Sequence, residues 1–100
     1  MSQEDAVKVA PKVYKVVFEN DRIRVLEAKL KKGQKSAMHY HPPNFVYVLE
    51  PGNVQFTTPE GKTQKVRMKA GGTFWFEASS HAAQNTGTKT ATALIVELKT

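Results

Sequence analysis

The sequence predicts an all-β sandwich or barrel, and three observations lead there. Almost every segment either alternates in polarity or is rich in β-branched and aromatic residues. Gly, Pro, Asn or Asp bounds each of these segments, so the strands are short and turns are frequent. No segment sustains the 3.6-residue apolar period of a helix. Short strands at regular spacing close into two layers or a barrel.

Taken in order, residues 13–19 form a first strand, and Asn20-Asp21 turn into a second over 23–30. There Ile23, Val25, Glu27 and Lys29 alternate against Arg24, Leu26, Ala28 and Leu30, one set per face. Lys32-Gly33 turns into residues 37–41, which Pro42-Pro43-Asn44 breaks. Residues 45–49 are almost continuously apolar, as in a strand buried on both faces. Strands over 54–57 and 63–68 flank Pro59-Glu60-Gly61, a hairpin signal. Ala70-Gly71-Gly72 leads into 73–76, a strand over 82–85 follows a bend, and 91–99 is the last, with Leu94, Val96 and Leu98 opposite Ile95 and Glu97. Residues 1–12 carry no strand pattern and are expected as a flexible N-terminal arm, with a single domain over 13–100.

Composition narrows the chemistry. Hydrophobic residues make up 40%, enough for a folded globule of this size. The absence of cysteine removes disulfides, thiolate metal sites and a catalytic thiol. No segment reads as a signal peptide or reaches transmembrane length, so a cytoplasmic protein with no membrane association is expected. The net charge of +6 invites a nucleic-acid reading. The lysines are scattered, however, and the arginines that usually read phosphates and bases number three, Arg22, Arg24 and Arg67. No nucleic-acid partner is expected.

The chemistry-bearing residues are the three histidines. His39 and His41 stand one residue apart on a strand, so both imidazoles share a face. His81 lies in a second strand segment about forty residues on. Neutral imidazole is the commonest ligand for divalent transition metals. Read alone, three histidines are more readily satisfied by backbone or water than by a metal. A frame of residues surrounds them: Gly33, five residues, His39-Tyr40-His41, then Pro42-Pro43-Asn44-Phe45 and Gly52, followed by Gly71-Gly72 and the block from Thr73 to Asn85.

This pattern resembles the two motifs of the cupin superfamily, in the form of a small single-domain cupin. The first motif matches at every position but one, with Phe45 where the family carries a ligand glutamate. The second keeps His81 and Asn85 but lacks the Pro and Gly of its bend and is one residue shorter. The likeness covers Gly33 to Asn85, and the flanking strands extend it to most of the chain. It implies a jelly-roll double-stranded β-helix, with the two motifs facing each other across the barrel. It also implies a mononuclear site of His39, His41 and His81 for a divalent transition metal, Fe2+ first and Ni2+, Zn2+, Mn2+ or Cu2+ as alternatives. Within the family, three-histidine sites are similar to those of iron-dependent thiol dioxygenases and diketone-cleaving enzymes. Phe45 then points at the metal, and Tyr47 shares its face with a hydroxyl suited to catalytic proton donation.

Glu77 is a candidate replacement ligand, surface charge being the other reading. Trp75 is lid or core, and Asn85 orients the turn or the His81 side of the barrel; with Phe45 and Tyr47 these residues make up the expected pocket. The expected function is action on a small organic molecule, dioxygenase-like. The alternative is a non-catalytic cupin that binds a small ligand with structural or no metal. Family habit and the apolar segment 13–18 imply a homodimer paired through strand edges.

Overall fold

The computed structural model describes residues 4–99. Among them are nine strands and one short helix, α1 (Ala6–Val9). The strands are β1 (Tyr14–Glu19), β2 (Ile23–Leu30), β3 (His39–His41), β4 (Asn44–Glu50), β5 (Gly52–Thr57), β6 (Thr63–Met68), β7 (Thr73–Phe76), β8 (Ser79–Asn85) and β9 (Ala91–Leu98). They form a five-stranded sheet in the order β1-β2-β9-β4-β7 and a four-stranded sheet in the order β3-β8-β5-β6. All pairings between strands are antiparallel. This is the double-stranded β-helix expected from the sequence.

Alternation decides which side chains fill the interior. Leu26 and Leu30 of β2, Val46 and Val48 of β4, Val54 of β5, Ala83 of β8 and Ile95 of β9 are buried between the sheets. Two glycines are required by geometry. Gly33 turns with φ 75°, a conformation that costs other residues a steric penalty. At Gly52, a Cβ would stand 2.6 Å from the Cβ of Ala91 in the other sheet, so any side chain there would force the layers apart.

Three expectations are corrected. The part of the N-terminal arm that lies within the described residues is packed rather than free. Ala6 has no exposed surface, Asp5 bridges to Tyr40, and Glu4 O accepts from Tyr40 N at 2.6 Å. Residues 1–3 of that arm lie outside the described residues. The run 45–49 is not buried on both faces. Phe45, Tyr47 and Leu49 are exposed while Val46 and Val48 are buried, because the outer face of the five-stranded sheet has no second layer over it. The two motifs do not face each other across the barrel. β3 and β8 are neighbours in one sheet, and β4 and β7 are neighbours in the other.

The outer face carries an apolar row through all five strands. Phe18 pairs with Val25, Val25 with Val96, Val96 with Phe45, and Phe45 with Trp75. Cross-strand neighbours on one face pack against each other, yet Phe18, Phe45 and Trp75 remain 52%, 40% and 50% exposed.

Candidate metal centre

Register builds the centre. β3 is three residues long, and its period of two sends His39 and His41 inward, both buried, while Tyr40 between them is partly exposed. His81 on β8 is the direct antiparallel partner of His39. The three ligand-capable nitrogens consequently lie within 4.8 Å of one another. The rings stack edge-on, with centroids 4.7 Å apart for His39 and His41 and 4.8 Å for His39 and His81.

Each ring is oriented by a partner. His39 Nδ1 lies 2.7 Å from the carbonyl of Ala37, so it carries the proton and leaves Nε2 as the acceptor. That Nε2 accepts the hydroxyl of Tyr14 at 3.0 Å. Tyr14 is buried, and burial pushes its hydroxyl well above the ordinary tyrosine range, so it acts as a neutral donor. His41 Nδ1 lies 2.6 Å from Glu97 Oε2, which holds the proton on Nδ1 and turns Nε2 inward. Among the described residues, His41 Nε2 is the one buried side-chain polar atom with no hydrogen-bond partner. Such an orphan is costly unless something binds it.

Glu97 comes from β9 in the opposite sheet and is 2% exposed. Its other oxygen accepts from Arg24 Nε and Nη2 at 2.9 and 2.7 Å. Arg24 Nη2 also reaches Asp5 at 2.6 Å, just before α1. A charged chain therefore runs Asp5–Arg24–Glu97–His41 from the N-terminal segment to the centre. The buried carboxylate is fully partnered, as a buried charge must be.

The donor set fits a divalent ion. Three imidazoles converge, two with a hydrogen bond at Nδ1 that leaves Nε2 to present its lone pair. Burial lowers the pKa of His39 to about 4 and of His81 to about 3, with the neighbouring imidazoles pushing the same way. Both are uncharged at neutral pH, as ligands must be. An ion held by the three imidazoles would take the His39 Nε2 lone pair that the Tyr14 hydroxyl now occupies.

The remaining expected residues lie elsewhere. Phe45 and Tyr47 are on the exposed face of β4, one position out of phase with Asn44, Val46 and Val48. Trp75 is half exposed and donates its indole N–H to Glu77 at 2.8 Å, so both belong to the outer surface, and Glu77 is no ligand. Asn85 is buried outside the interior cavity; its amide donates to Leu30 O and Lys89 O, and its Oδ1 accepts from Gly87 N. Its work is to hold the turn before β9. The tyrosine of the centre is Tyr14 rather than Tyr47. Parity carried a signal for the missed pair, since Arg24 shares a face with Leu26 and Leu30, and Glu97 shares one with Ile95. A charge in a core register asks for a buried partner. Tyr14 opens an apolar strand and had no such signal.

Residues 26–97 match the family described as Cupin domain. The chain belongs to the cupin family. Solved structures support its fold. A cupin domain from Bordetella pertussis Tohama I is 22% identical, with 100% of this chain and 99% of that one covered at a TM-score of 0.79. A double-stranded β-helix protein from Klebsiella pneumoniae is also 22% identical, covering 87% and 76% at 0.71. An RmlC-like cupin from Methanocaldococcus jannaschii is 11% identical, covering 86% and 78% at 0.68. Among curated proteins none matches this chain. At these identities the structural likeness speaks for the cupin fold alone.

Two predictions follow from the geometry of this cupin. First, the metal-free protein loses stability in mild acid. His39 and His81 stay neutral when folded but take up a proton near 6.5 when unfolded, so their contribution is full above 6.5 and falls as pH drops toward 4. At pH 5 the loss is about 2 kcal/mol per histidine. Urea midpoints between pH 7.5 and 4.5 measure it, and His81→Gln should flatten the slope. Second, Val46 is an inward position from which β4 can supply a carboxylate, since it lines the same cavity as His41 and His81. Val46→Glu should enlarge the metal-dependent rise in melting temperature, while Phe45→Glu leaves it at the parent's value. The reverse ranking would overturn the inner-face assignment.

Proposed function

We propose that this cupin holds one divalent metal ion, iron(II) first, on His39, His41 and His81, and acts on a small organic molecule in a dioxygenase-like manner. The observation that carries the reading is the unpartnered, buried Nε2 of His41 at the meeting point of three oriented imidazoles. When bound, iron(II) supplies Lewis acidity and one-electron chemistry toward dioxygen. The chain's own residues do the rest. Glu97 fixes the His41 tautomer, and the Ala37 carbonyl fixes that of His39. Tyr14 holds a proton next to the centre, in position to donate to a substrate oxygen once His39 is engaged elsewhere. The apolar barrel wall excludes water. The proposed setting is a reducing cytoplasm, where iron stays divalent.

One observation favours a second reading, a non-catalytic binding module without metal. The Tyr14 hydroxyl already satisfies His39 Nε2, so the centre has an internally capped metal-free form. Elemental analysis of protein purified without an affinity tag separates the two. The first reading expects near-stoichiometric iron or another transition metal. It also expects that the His39→Ala, His41→Ala double variant loses it and that each single variant binds at least tenfold more weakly. Full occupancy in the double variant would sink the site, and metal-free parent protein that no added ion stabilises supports the module.

We further propose a homodimer joined through β1. This strand is the sheet edge, so one row of its backbone groups is unpaired, and Val16, Val17 and Phe18 on it are exposed. A two-fold pairing of β1 with its own copy continues the row from Trp75 to Phe18 into the second molecule. Light scattering at micromolar concentration should give twice the chain mass, and Val17→Lys should return the monomer. A monomeric parent would end the proposal.

A further inference from the structure

The barrel interior holds a cavity of about 60 Å³ that begins at His41 and His81 and runs between the sheets to Met68 and Ala91. Small side chains make the room: Ala28, Ala83, Ala91 and Ala93 all face it. No Asp, Glu, Lys or Arg lines it. Most donors of its other polar side chains are already in use, with the Asn44 Oδ1 left over as an acceptor. The Asn44 amide donates to Pro42 O, the Thr92 hydroxyl donates to Glu50, and the Tyr14 hydroxyl bonds His39. The charged pair nearest the cavity, Arg24 with Glu97, is closed on itself, on Asp5 and on His41. What remains open to a guest is apolar wall, the Asn44 amide oxygen and, at one end, the imidazoles.

We propose that this interior is the binding site for a small monofunctional molecule, with an apolar body of a few carbons and a single oxygen or sulfur donor directed at His41 and His81. The inference rests on the proposed metal centre for the tight binding of the donor end, but the selection of the body belongs to the wall alone. A cavity of about 150 Å³ takes benzene, so a guest here is smaller than benzene. A second charged group on the guest meets no counter-ion, and a buried unpaired charge is strongly rejected. Amino acids, sugars, dicarboxylates and phosphates are thereby disfavoured.

Two thiols of equal heavy-atom count test this: 1-propanethiol, with a methyl at its far end, and cysteamine, with an ammonium there. Methyl-labelled methionine supplies the readout. Met68 is buried on the cavity wall, and Met38 is exposed outside it as a control. Each thiol is titrated into metal-free and cobalt(II)-loaded full-length protein under reducing conditions, following the methionine methyl signals. In both forms, 1-propanethiol should shift Met68 saturably and leave Met38 in place, binding at least tenfold more tightly than cysteamine. Tighter binding in the cobalt form supports the donor end. Ala93→Leu should remove the 1-propanethiol response while keeping cobalt binding. Should Met68 stay unmoved by 1-propanethiol, or respond equally to both thiols, the proposal is overturned. If cobalt fails to bind, the metal reading falls, and the metal-free titration still decides the apolar site.

Discussion

A buried carboxylate organises this molecule. Glu97 stands in the middle of the five-stranded sheet with almost no contact with water, and an unpaired charge there would cost several kcal/mol. Its partners arrive from three directions: Arg24 from the adjacent strand, His41 from the opposite sheet, and Asp5, through Arg24, from the N-terminal segment. The requirement to satisfy one anion thus ties both layers and the short helix together. It also sets the orientation of the central ligand imidazole. A hydrophobic residue at 97 would be expected to pack the barrel as well, so the ion pair is better understood as a device for orientation than for stability.

The fold was largely legible because period-two patterning and turn residues are local signals. The eight residues 23–30 and the six residues 63–68 coincide with their strands. β3 is shorter than expected and β8 longer, because the pairing of His39 with His81 and of His41 with Ser79 decides where the ladder runs, and pairing is not local. The histidine cluster was legible from spacing together with family likeness. The pocket lining was not. Position 45 was oriented by motif alignment, but Pro42-Pro43 interrupts the strand between His41 and β4, so parity cannot be carried across it. The structure settles the phase through the buried side chains of Asn44, Val46 and Val48. Phe45, Tyr47 and Trp75 are aromatic because the outer face is apolar, a feature that a strand pattern read without the second sheet assigns to the core.

Tyr14 shows how the metal-free centre avoids the full cost of its own design. Three lone pairs converging in a dry cavity would each lack a donor. The tyrosine hydroxyl supplies one for His39, while the imidazoles of His41 and His81 keep theirs open, His41 Nε2 being the fully buried one. An ion entering the cluster would therefore compete with a hydrogen bond at His39 and meet an unpartnered nitrogen at His41. The first effect weakens binding, the second strengthens it, and the difference sets the affinity.

The charge around the centre then constrains what accompanies the ion. The three side chains able to hold an ion are all imidazoles, and the glutamate of the family motif is absent. Glu97 lies behind His41 rather than beside the ligand nitrogens, and Arg24 already offsets its charge. A divalent ion would keep most of its positive charge inside a wall of alanine, valine, leucine and phenylalanine side chains, where the low local dielectric makes that charge costly. With that ion in place, an anionic donor brought by a guest would offset the charge. A histidine triad without a carboxylate, set in an apolar barrel, thus favours guests whose one polar atom can give up a proton. It leaves Tyr14, the nearest neutral hydroxyl, to hydrogen-bond whatever that atom becomes.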